Sequence, residues 1–109
     1  MTDIILVLVT APSAAVAASL ARTLVEEGLA ACGNVVPGLR SIYRWQGRVE
    51  DEAEALLLLK TRAEAFEALR RRVVELHPYD VPEVLRLAVE AGHEPYLAWV
   101  RESVRPSGG

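Results

Sequence analysis

The sequence has few of the residues that build disulfide-linked or metal-bound folds: one cysteine, Cys32, and two histidines among 109 residues. A single cysteine excludes an intramolecular disulfide, on which small secreted domains commonly depend. The apolar run at residues 4–9 is too short to span a bilayer, and no basic flank precedes it as in a signal peptide. We therefore expect a cytoplasmic protein that does not associate with membranes.

Positive charge is also scarce relative to negative charge. The chain has 12 basic and 15 acidic residues and a net charge of −3, which argues against binding to nucleic acid. The run Arg70-Arg71-Arg72 does not change this, because successive helical residues point about 100° apart and form no single basic face. We expect these arginines to form ion pairs at the surface or at an interface.

Catalytic motifs are absent as well. The sequence contains no nucleophile elbow, phosphate-binding glycine loop, HExxH or CxxC motif. A dyad of Cys32 and His77 would need the fold to bring the two side chains together, and nothing in the sequence indicates that it does. We predict that the protein is not an enzyme.

Hydrophobic spacing predicts a strand and then a helix in the first part of the chain. Residues 4–9 form a continuous aliphatic run, typical of a strand at the centre of a sheet. A helix should begin at Ser13 and end at Gly28, with Leu20 and Leu24 on its buried side.

The middle of the chain predicts a long β-hairpin. Strand-forming residues run from Leu29 to Trp45 with a bend at Pro37-Gly38, and Gln46-Gly47 is a two-residue turn. The return strand is acidic at first and ends in four consecutive leucines, residues 56–59. Its first half should therefore lie in water and its second half in the core.

The last part predicts a helix, a strand and a helix. The first of these helices is indicated by apolar residues spaced three and four apart: Phe66, Leu69, Val73 and Leu76. It should end at His77, because proline disfavours a helical conformation in the residue before it. A strand follows at residues 84–89, a helix opens at Glu94-Pro95, and residues 105–109 are expected to form a disordered tail.

The order strand, helix, strand, strand, helix, strand is the split βαβ pattern of a ferredoxin-like sandwich. We predict an α+β fold in one domain, residues 1–104, with a βαββαβ core, a long β-hairpin and an extra C-terminal helix. Helices should cover one sheet face, and the other face and the hairpin would be exposed in a monomer, which proteins commonly avoid by association. We therefore predict a homotrimer with Tyr43, Trp45 and Trp99 at its interfaces.

Side chains that could bind a soft metal ion are few. His77, His93 and Cys32 are the only histidines and cysteine, and none has a partner at metal-ligand spacing. His77 is the candidate metal ligand, and its alternative role is to cap the preceding helix. Cys32 is expected to be a small buried residue, and His93 is expected to be exposed in a loop.

A cleft between subunits is the second candidate site. Lys60, Tyr79 and Glu83, together with Trp45, would line it as polar groups around an apolar pocket. The alternative for Lys60 and Glu83 is a simple ion pair. The acidic run at residues 50–54 lacks the spacing of a calcium loop, and we expect a solvated strand end or a partner for arginines of a neighbouring subunit.

Five segments, in order and in spacing, resemble the CutA divalent-cation tolerance family. They are residues 29–34 (LAACGN), 41–47 (SIYRWQG), 59–61 (LKT), 77–83 (HPYDVPE) and 96–99 (YLAW). The resemblance extends over residues 4–104. It implies a ferredoxin-like fold related to the PII signalling proteins, a cytoplasmic homotrimer, and a role in tolerance to copper and other divalent cations.

The resemblance also implies where copper would bind. Family members that bind copper have a cysteine at the position of Val9 and two histidines at the positions of Leu76 and His77. Only His77 can be a ligand here, because valine and leucine cannot coordinate a metal.

Two functions follow as expectations. The leading one is CutA-like copper tolerance and metal-ion homeostasis, with Cu²⁺ or another divalent cation bound weakly or between subunits and no organic cofactor. The alternative is a PII-like trimeric regulatory or scaffold module that binds a small metabolite or a protein partner in clefts between subunits.

Overall fold

The structure, a computed structural model, describes residues 2–106. The strands are β1 (Ile4–Ala11), β2 (Cys32–Trp45), β3 (Arg48–Arg62) and β4 (Leu85–Ala88), and the α-helices are α1 (Ala14–Glu26), α2 (Phe66–Leu76) and α3 (Glu94–Ser103). A single 3-10 turn at Ala63–Ala65 leads into α2. Of the predicted tail, residues 107–109 lie outside the described residues, while the backbone N–H of Arg105 donates to the carbonyl of Gly28 at 2.8 Å.

The four strands form one antiparallel sheet in the order β2-β3-β1-β4. This order places β1 between β3 and β4, so its aliphatic run is central to the sheet as predicted. Helices α1 and α2 connect the strands in the split βαβ manner. The predicted α+β ferredoxin-like sandwich, with a long hairpin and an additional C-terminal helix, is confirmed.

Helix α1 begins and ends where its sequence predicts. The Ser13 side chain accepts a hydrogen bond from the backbone N–H of Val16 at 3.2 Å, which satisfies one of the amides left free at a helix start. At the other end Gly28 has a φ of 75°, and its N–H donates to the carbonyl of Val25 at 3.0 Å. Glycine adopts this left-handed conformation without a steric cost, so the chain can turn back toward β2.

The main core lies between the sheet and helices α1 and α2. Leu24, Leu69 and Val73 are fully buried there, and burying each such side chain contributes about 1.5–3 kcal/mol. The predicted apolar stripe of α2 is wrong at its last member, because Leu76 is 38% exposed. Leu76 is the last residue of α2 and lies beside Pro78 in a shallow surface depression, where the chain leaves the core.

Helix α3 packs on the opposite side of the sheet from α1 and α2. Its Leu97 and Val100 form a second buried cluster with Ile4 of β1. Successive residues of a strand point to opposite faces, and Ile5 belongs to the main core. The prediction that helices cover only one face is therefore wrong at this end of the sheet, where α3 covers the start of β1.

Most of the second sheet face is not covered within the described chain. Its side chains come from β3, β1 and β4, and we call it the open face: Leu56, Leu58, Leu6, Leu8, Leu85 and Leu87. Leu85 and Leu87 are about half exposed, and the other four are partly exposed. Contiguous apolar surface of this kind is typical of a site that associates with another protein surface.

Cys32 also faces this side of the sheet. It pairs with Lys60 of β3, and its thiol donates to Oδ1 of Asn34 at 3.5 Å. The ammonium of Lys60 donates to the same oxygen. The prediction of a buried Cys32 is wrong for the single chain, because its place in the register puts the thiol on the face that α1 and α2 do not cover.

Strands β2 and β3 continue together beyond the rest of the sheet. β1 ends at Ala11, opposite Ala55, whereas the pairing of β2 with β3 continues to the turn between them. We call residues 39–54 the arm. It lengthens the molecule, whose principal extents are 43 × 26 × 23 Å, and the arm pairs with no third strand within residues 2–106.

The bend before the arm and the turn at its tip lie at the positions that the sequence indicated. The register shifts between Val36 and Leu39, and Gly38 has a φ of 77°, so the predicted bend is a bulge in β2. The turn residues Gln46 and Gly47 have φ values of 50° and 79°. Two positive φ values give a turn whose twist matches that of the flanking strands.

The acidic half of the arm finds partners within its own chain. Nε and Nη2 of Arg40 donate to the two carboxylate oxygens of Asp51 at 2.8 and 2.7 Å, and the Tyr43 hydroxyl donates to Glu52 at 3.0 Å. These side chains are largely exposed, as expected for a solvated strand end. Within the chain Asp51 pairs with Arg40, which lies diagonally across the hairpin, and pairing of this run with a neighbour's arginines stays a prediction.

Gly33 of β2 lets α1 approach the sheet closely. A Cβ atom added at Gly33 would lie 2.8 Å from the Cβ of Ala21 in α1 and 3.2 Å from Cδ2 of Leu59. The Cβ of Ala21 is fixed to the helix backbone and has no torsion by which to move away. The separation of α1 from β2 therefore depends on the absence of a side chain at Gly33.

We expect Gly33→Ala to lower the free energy of unfolding by about 1–3 kcal/mol, because the added methyl group must push α1 outward. The matched control is Gly92→Ala, where the nearest atom to the new methyl is the flexible end of Leu97 at 3.1 Å. Urea unfolding followed by circular dichroism measures both. A Gly33→Ala protein as stable as the wild type would show that α1 shifts freely.

Candidate functional site

His77 joins the end of α2 to the end of β1. Its Nε2 lies 2.7 Å from the carbonyl oxygen of Thr10, and its Nδ1 lies 3.1 Å from the backbone nitrogen of Tyr79. A carbonyl can only accept and a backbone amide can only donate, so the proton is on Nε2 and Nδ1 accepts. His77 is 7% exposed, and its ring centroid lies 4.7 Å from that of Tyr79. We call residues 77–83 the His77 loop.

These contacts do not fit copper in a single chain. Both ring nitrogens of His77 are engaged, so a metal ion would have to replace the hydrogen bond from Tyr79. Val9 is fully buried in the core, and Leu76 has no ligating atom. Within residues 2–106 no group of three or more His, Cys, Asp and Glu side chains is placed to hold a metal ion. The role of His77 as a metal ligand stays a prediction.

A groove of about 700 Å³ lies between the arm and the His77 loop. We call it the arm groove. The arm and the end of the sheet contribute Thr10, Ser41, Ile42, Tyr43, Trp45 and Glu54. The His77 loop contributes Pro78, Tyr79, Asp80, Val81 and Glu83. Its volume lies in the range of small-molecule sites, and its lining combines aromatic rings with three carboxylates.

Tyr79 connects the two walls of the groove. Its hydroxyl donates to Oε2 of Glu54 at 2.6 Å, a short hydrogen bond to a charged acceptor. Burial raises the pKa of Tyr79 far above its ordinary value, and the hydrogen bond to Glu54 and the negative charge of that carboxylate raise it further. The phenol is therefore held protonated and acts as a donor.

Negative charge is concentrated in the groove. Partial removal from water raises the pKa of Glu83, and the neighbouring Glu54 carboxylate adds to the effect. Glu83 is exposed as a whole residue, so the change is a local property of its carboxyl group. The pKa of Tyr43 is raised first by its hydrogen bond to Glu52, then by burial and by the charges of nearby glutamates.

The structure brings together three of the four residues predicted for a cleft. Trp45, Tyr79 and Glu83 all line the arm groove. Lys60 does not, because it lies six residues along β3 from Glu54, which is about 20 Å at ~3.3 Å per residue. The predicted ion pair between Lys60 and Glu83 is therefore wrong within one chain, and Lys60 instead contacts Asn34 on the open face.

Sequence reasoning missed Glu54 as a groove residue. Glu54 belongs to the acidic run, whose members looked equivalent, but strand alternation turns its carboxylate toward Tyr79. The available signal was its position one residue before Ala55, where the run becomes apolar. Thr10 was missed because a strand terminus gives no pattern of its own.

The residues predicted for interfaces are exposed in the single chain. Tyr43, Trp45 and Trp99 are 39%, 48% and 44% exposed. Trp99 lies on α3 with its ring 5.6 Å from that of Tyr96, and the other two lie on the arm. Large aromatic side chains at the surface are enriched at protein interfaces, and their contact with another subunit stays a prediction.

Comparison with known proteins identifies the family. The family model described as CutA1 divalent ion tolerance protein matches residues 5–103. The chain belongs to this family. The divalent-cation tolerance protein CutA of Thermus thermophilus is 56% identical over 97 residues, which are 89% of this chain and 94% of that protein. The resemblance inferred from five short segments is thereby confirmed.

Solved CutA1 structures share the fold. The divalent cation tolerance protein of Thermus thermophilus has a TM-score of 0.91 and 53% identity, covering 94% of this chain and 99% of that one. CutA1 of Oryza sativa has a TM-score of 0.93 and 44% identity, with 95% of each chain covered. The fold of this chain is therefore the fold of these two CutA1 proteins.

Relatives differ in length and in the location that their names give. Protein CutA, chloroplastic, of Arabidopsis thaliana is 45% identical over 101 residues, which are 93% of this chain and 56% of that protein. This chain thus spans just over half the length of that relative. Among residues 2–106, no helix is long and apolar enough to cross a membrane.

We expect Tyr79→Phe to lower the free energy of unfolding at pH 7 by about 1–2 kcal/mol, because the donor to Glu54 is lost. A raised pKa means that the folded protein holds the phenolic proton more tightly than the unfolded chain, whose tyrosines titrate near pH 10. The stability that this group provides is complete below about pH 10 and falls as the pH rises further.

The difference in free energy of unfolding between the wild type and Tyr79→Phe should therefore become smaller as the pH rises from 10 toward 11. Urea unfolding at several pH values measures it. Tyr96→Phe is the matched control, since the Tyr96 hydroxyl forms no hydrogen bond within the described residues. A constant difference across this range would contradict the role assigned to the Tyr79 proton.

Proposed function

We propose that the protein serves tolerance to divalent cations, copper included, as a cytoplasmic homotrimer without enzymatic activity. The observation that carries this proposal is 56% identity, over nearly the whole length of both chains, to a protein named for divalent-cation tolerance. The single cysteine supports a reducing compartment. A family named for tolerance rather than for a reaction supports a role in binding or regulation.

The open face and the arm support self-association. Six aliphatic side chains on one sheet face would remain in contact with water in a monomer. Covering them stabilises the assembly by about 25 cal/mol for each Å² of apolar surface removed from water. An isolated two-stranded hairpin is at best marginally stable in water, so the arm also gains from a neighbour. A closed ring of three copies would satisfy both needs.

We expect light scattering at micromolar concentration to give three times the chain mass of 11.9 kDa. Leu87→Glu, on the open face, should shift the protein toward monomer, because it places a charge in the buried surface. Val74→Glu on α2 is the matched control, since Val74 is 44% exposed and Leu87 is 49% exposed. A monomeric wild type would refute the trimer.

Any divalent cation is proposed to bind weakly, through groups from more than one subunit. Support comes from the engaged nitrogens of His77 and from the lack of a metal cluster within residues 2–106. A cation site of the assembly would use surface carboxylates and the exposed imidazole of His93, brought together by association, and such sites are not preorganised.

We expect calorimetric titration with Cu²⁺ and Zn²⁺ to show saturable but weak binding. His77→Gln should change the affinity less than twofold, yet lower the free energy of unfolding by about 1–2 kcal/mol, because two hydrogen bonds of a buried ring are disturbed. Loss of binding in His77→Gln would instead make the imidazole a ligand. No saturable binding by the wild type would refute the metal-binding part of the proposal.

A second candidate function is that of a PII-like regulatory or scaffold module. The observation that favours it is the arm groove, a cavity of about 700 Å³ whose lining combines aromatic rings, hydroxyl groups and carboxylates. Such a cavity holds a small metabolite in many proteins. In this role the binding of a metabolite, rather than of a metal ion, would affect the trimer through the arm.

A further inference from the structure

We propose that the arm groove is completed by Lys60 of a neighbouring copy, whose ammonium group lies beside the carboxylates of Glu54 and Glu83. The proposal rests on the homotrimer proposed above, and it names the side chains that join one copy to the next. Three observations carry it. The groove and the open face are one surface, the charge differs in sign between the ends of that surface, and these charges have no ionic partner within one chain.

The arm groove and the open face lie on the same side of β3. Side chains two residues apart along a strand point to the same face, so Glu54 has the orientation of Leu56, Leu58 and Lys60. Thr10, which lines the groove, pairs with Leu56 in the register of β1 and β3. The groove therefore continues the open face past the end of β1, and a copy that covers the open face adjoins the groove.

The charge differs in sign between the two ends of this surface. Glu54 lies at one end, where Asp80 and Glu83 of the His77 loop add two further carboxylates. Lys60 lies at the other end, six residues or about 20 Å along β3, with aliphatic side chains in between. A surface with one negative and one positive end fits head-to-tail association, in which the negative end of each copy contacts the positive end of the next.

Neither end is neutralised within one chain. Among residues 2–106, no ion pair includes Glu54, Glu83 or Lys60. Tyr79 donates a hydrogen bond to Glu54 but brings no positive charge, and the Lys60 ammonium donates to the uncharged side chain of Asn34. Partial removal from water and then the Glu54 carboxylate raise the pKa of Glu83, which is the behaviour of an acid without a counter-charge.

Lys60 is well suited to reach the groove of a neighbour. Arg62, the next basic residue on this side of β3, is already held by Asp3 at 3.4 Å and by Glu64 at 3.0 Å. The lysine side chain is long and flexible, and its methylene groups can pack on leucine side chains while the ammonium group extends to a carboxylate.

Association makes this contact important, because it removes both ends of the surface from water. A charge that is buried without a partner is costly, and pairing Lys60 with the two glutamates across the subunit boundary avoids that cost. The pairing also disfavours arrangements in which the leucines meet but the acidic ends face one another. The contact therefore determines the direction in which the copies follow one another around the ring.

The first test is a double-mutant cycle on the full-length protein, with Lys60→Glu, Glu83→Lys and the variant that carries both changes. Light scattering over a dilution series gives the mass and the concentration at which half of the assembly has dissociated. Within one chain the two residues lie at opposite ends of the surface, and substitutions so far apart act additively. Coupling between them therefore indicates a contact between copies.

We expect each single variant to raise the dissociation concentration about tenfold or more, because it leaves like charges together at the boundary. The double variant should return to within about threefold of the wild type, because opposite charges face each other again. Arg71→Glu is the matched control, since Arg71 is exposed on α2. Combined with Glu83→Lys it gives the same net charge, and it should show no coupling.

The second test uses the wild-type protein and does not depend on the folding of a variant. Lys60 is the one lysine of the chain, and a carbodiimide joins a lysine amine to a neighbouring carboxylate as an amide, with loss of water. Oligomers reassembled from isotopically light and heavy protein distinguish links between copies from links within a copy. We expect mass spectrometry to find Lys60 linked to Glu54 or Glu83, with one light and one heavy peptide in the product.

The other outcomes separate this contact from the homotrimer on which it rests. A trimeric wild type with an additive cycle would overturn the contact and leave the trimer intact. A wild type that is a monomer or a dimer would overturn both. The contact is also refuted if Lys60 forms no link to either glutamate, or if such links occur only within one copy.

Discussion

The arm and the arm groove both depend on a difference in strand length, because β1 is shorter than its neighbour β3. Strand β3 pairs with β1 only as far as Ala55, while its pairing with β2 continues through the whole arm. Beyond Ala55 the hairpin pairs with no third strand within residues 2–106, so its stability comes from the turn and from contacts such as the paired hydrogen bonds of Arg40 to Asp51. Because that ion pair is exposed, it contributes little, and the arm is the part of the fold most in need of a neighbour.

The end of β1 creates the groove as well as the arm. Thr10 is the residue before the last one of β1, and its carbonyl accepts a hydrogen bond from the His77 ring. The same ring accepts from the backbone of Tyr79, and Tyr79 in turn donates to Glu54 on the arm. This chain of three hydrogen bonds fixes the His77 loop against the arm. The histidine that the CutA resemblance marks as a copper ligand thus works here as a connection between backbone segments.

Local patterns in the sequence predict where helices, strands and turns lie, but they predict poorly on which face of the sheet a side chain lies. Helix α1 is limited by Ser13 and Gly28, and the hairpin turn by Gln46 and Gly47, because Ser13 acts through its own side chain and the other three through their own backbone conformations. Which side of a strand a residue faces depends instead on the register with distant strands. Cys32 was therefore expected in the core although its pairing with Lys60 turns it outward.

The same limit explains the candidate site. Tyr79, Glu83 and Trp45 were predicted because polar groups around an apolar pocket suggest a binding site. Lys60 was grouped with them because it ends an apolar run, yet distance along β3 separates it from the groove. Glu54 could not be distinguished from the other acids of the arm until the fold set its side chain opposite Tyr79. Contacts of this kind are decided by tertiary structure alone.

Assembly and ligand binding cannot be independent in such a fold. Trp45 lies on the arm and lines the groove, and the arm is also the segment that pairs with no third strand among the described residues 2–106. Packing of a neighbour against the arm, as proposed above, would change the exposure of Trp45, and a groove ligand would then have different affinities for the associated and separate chains. By thermodynamic linkage the ligand then shifts association by the same factor by which association shifts its affinity. A ligand that binds between the arm and the His77 loop would therefore act on the oligomer through the one element that both events share.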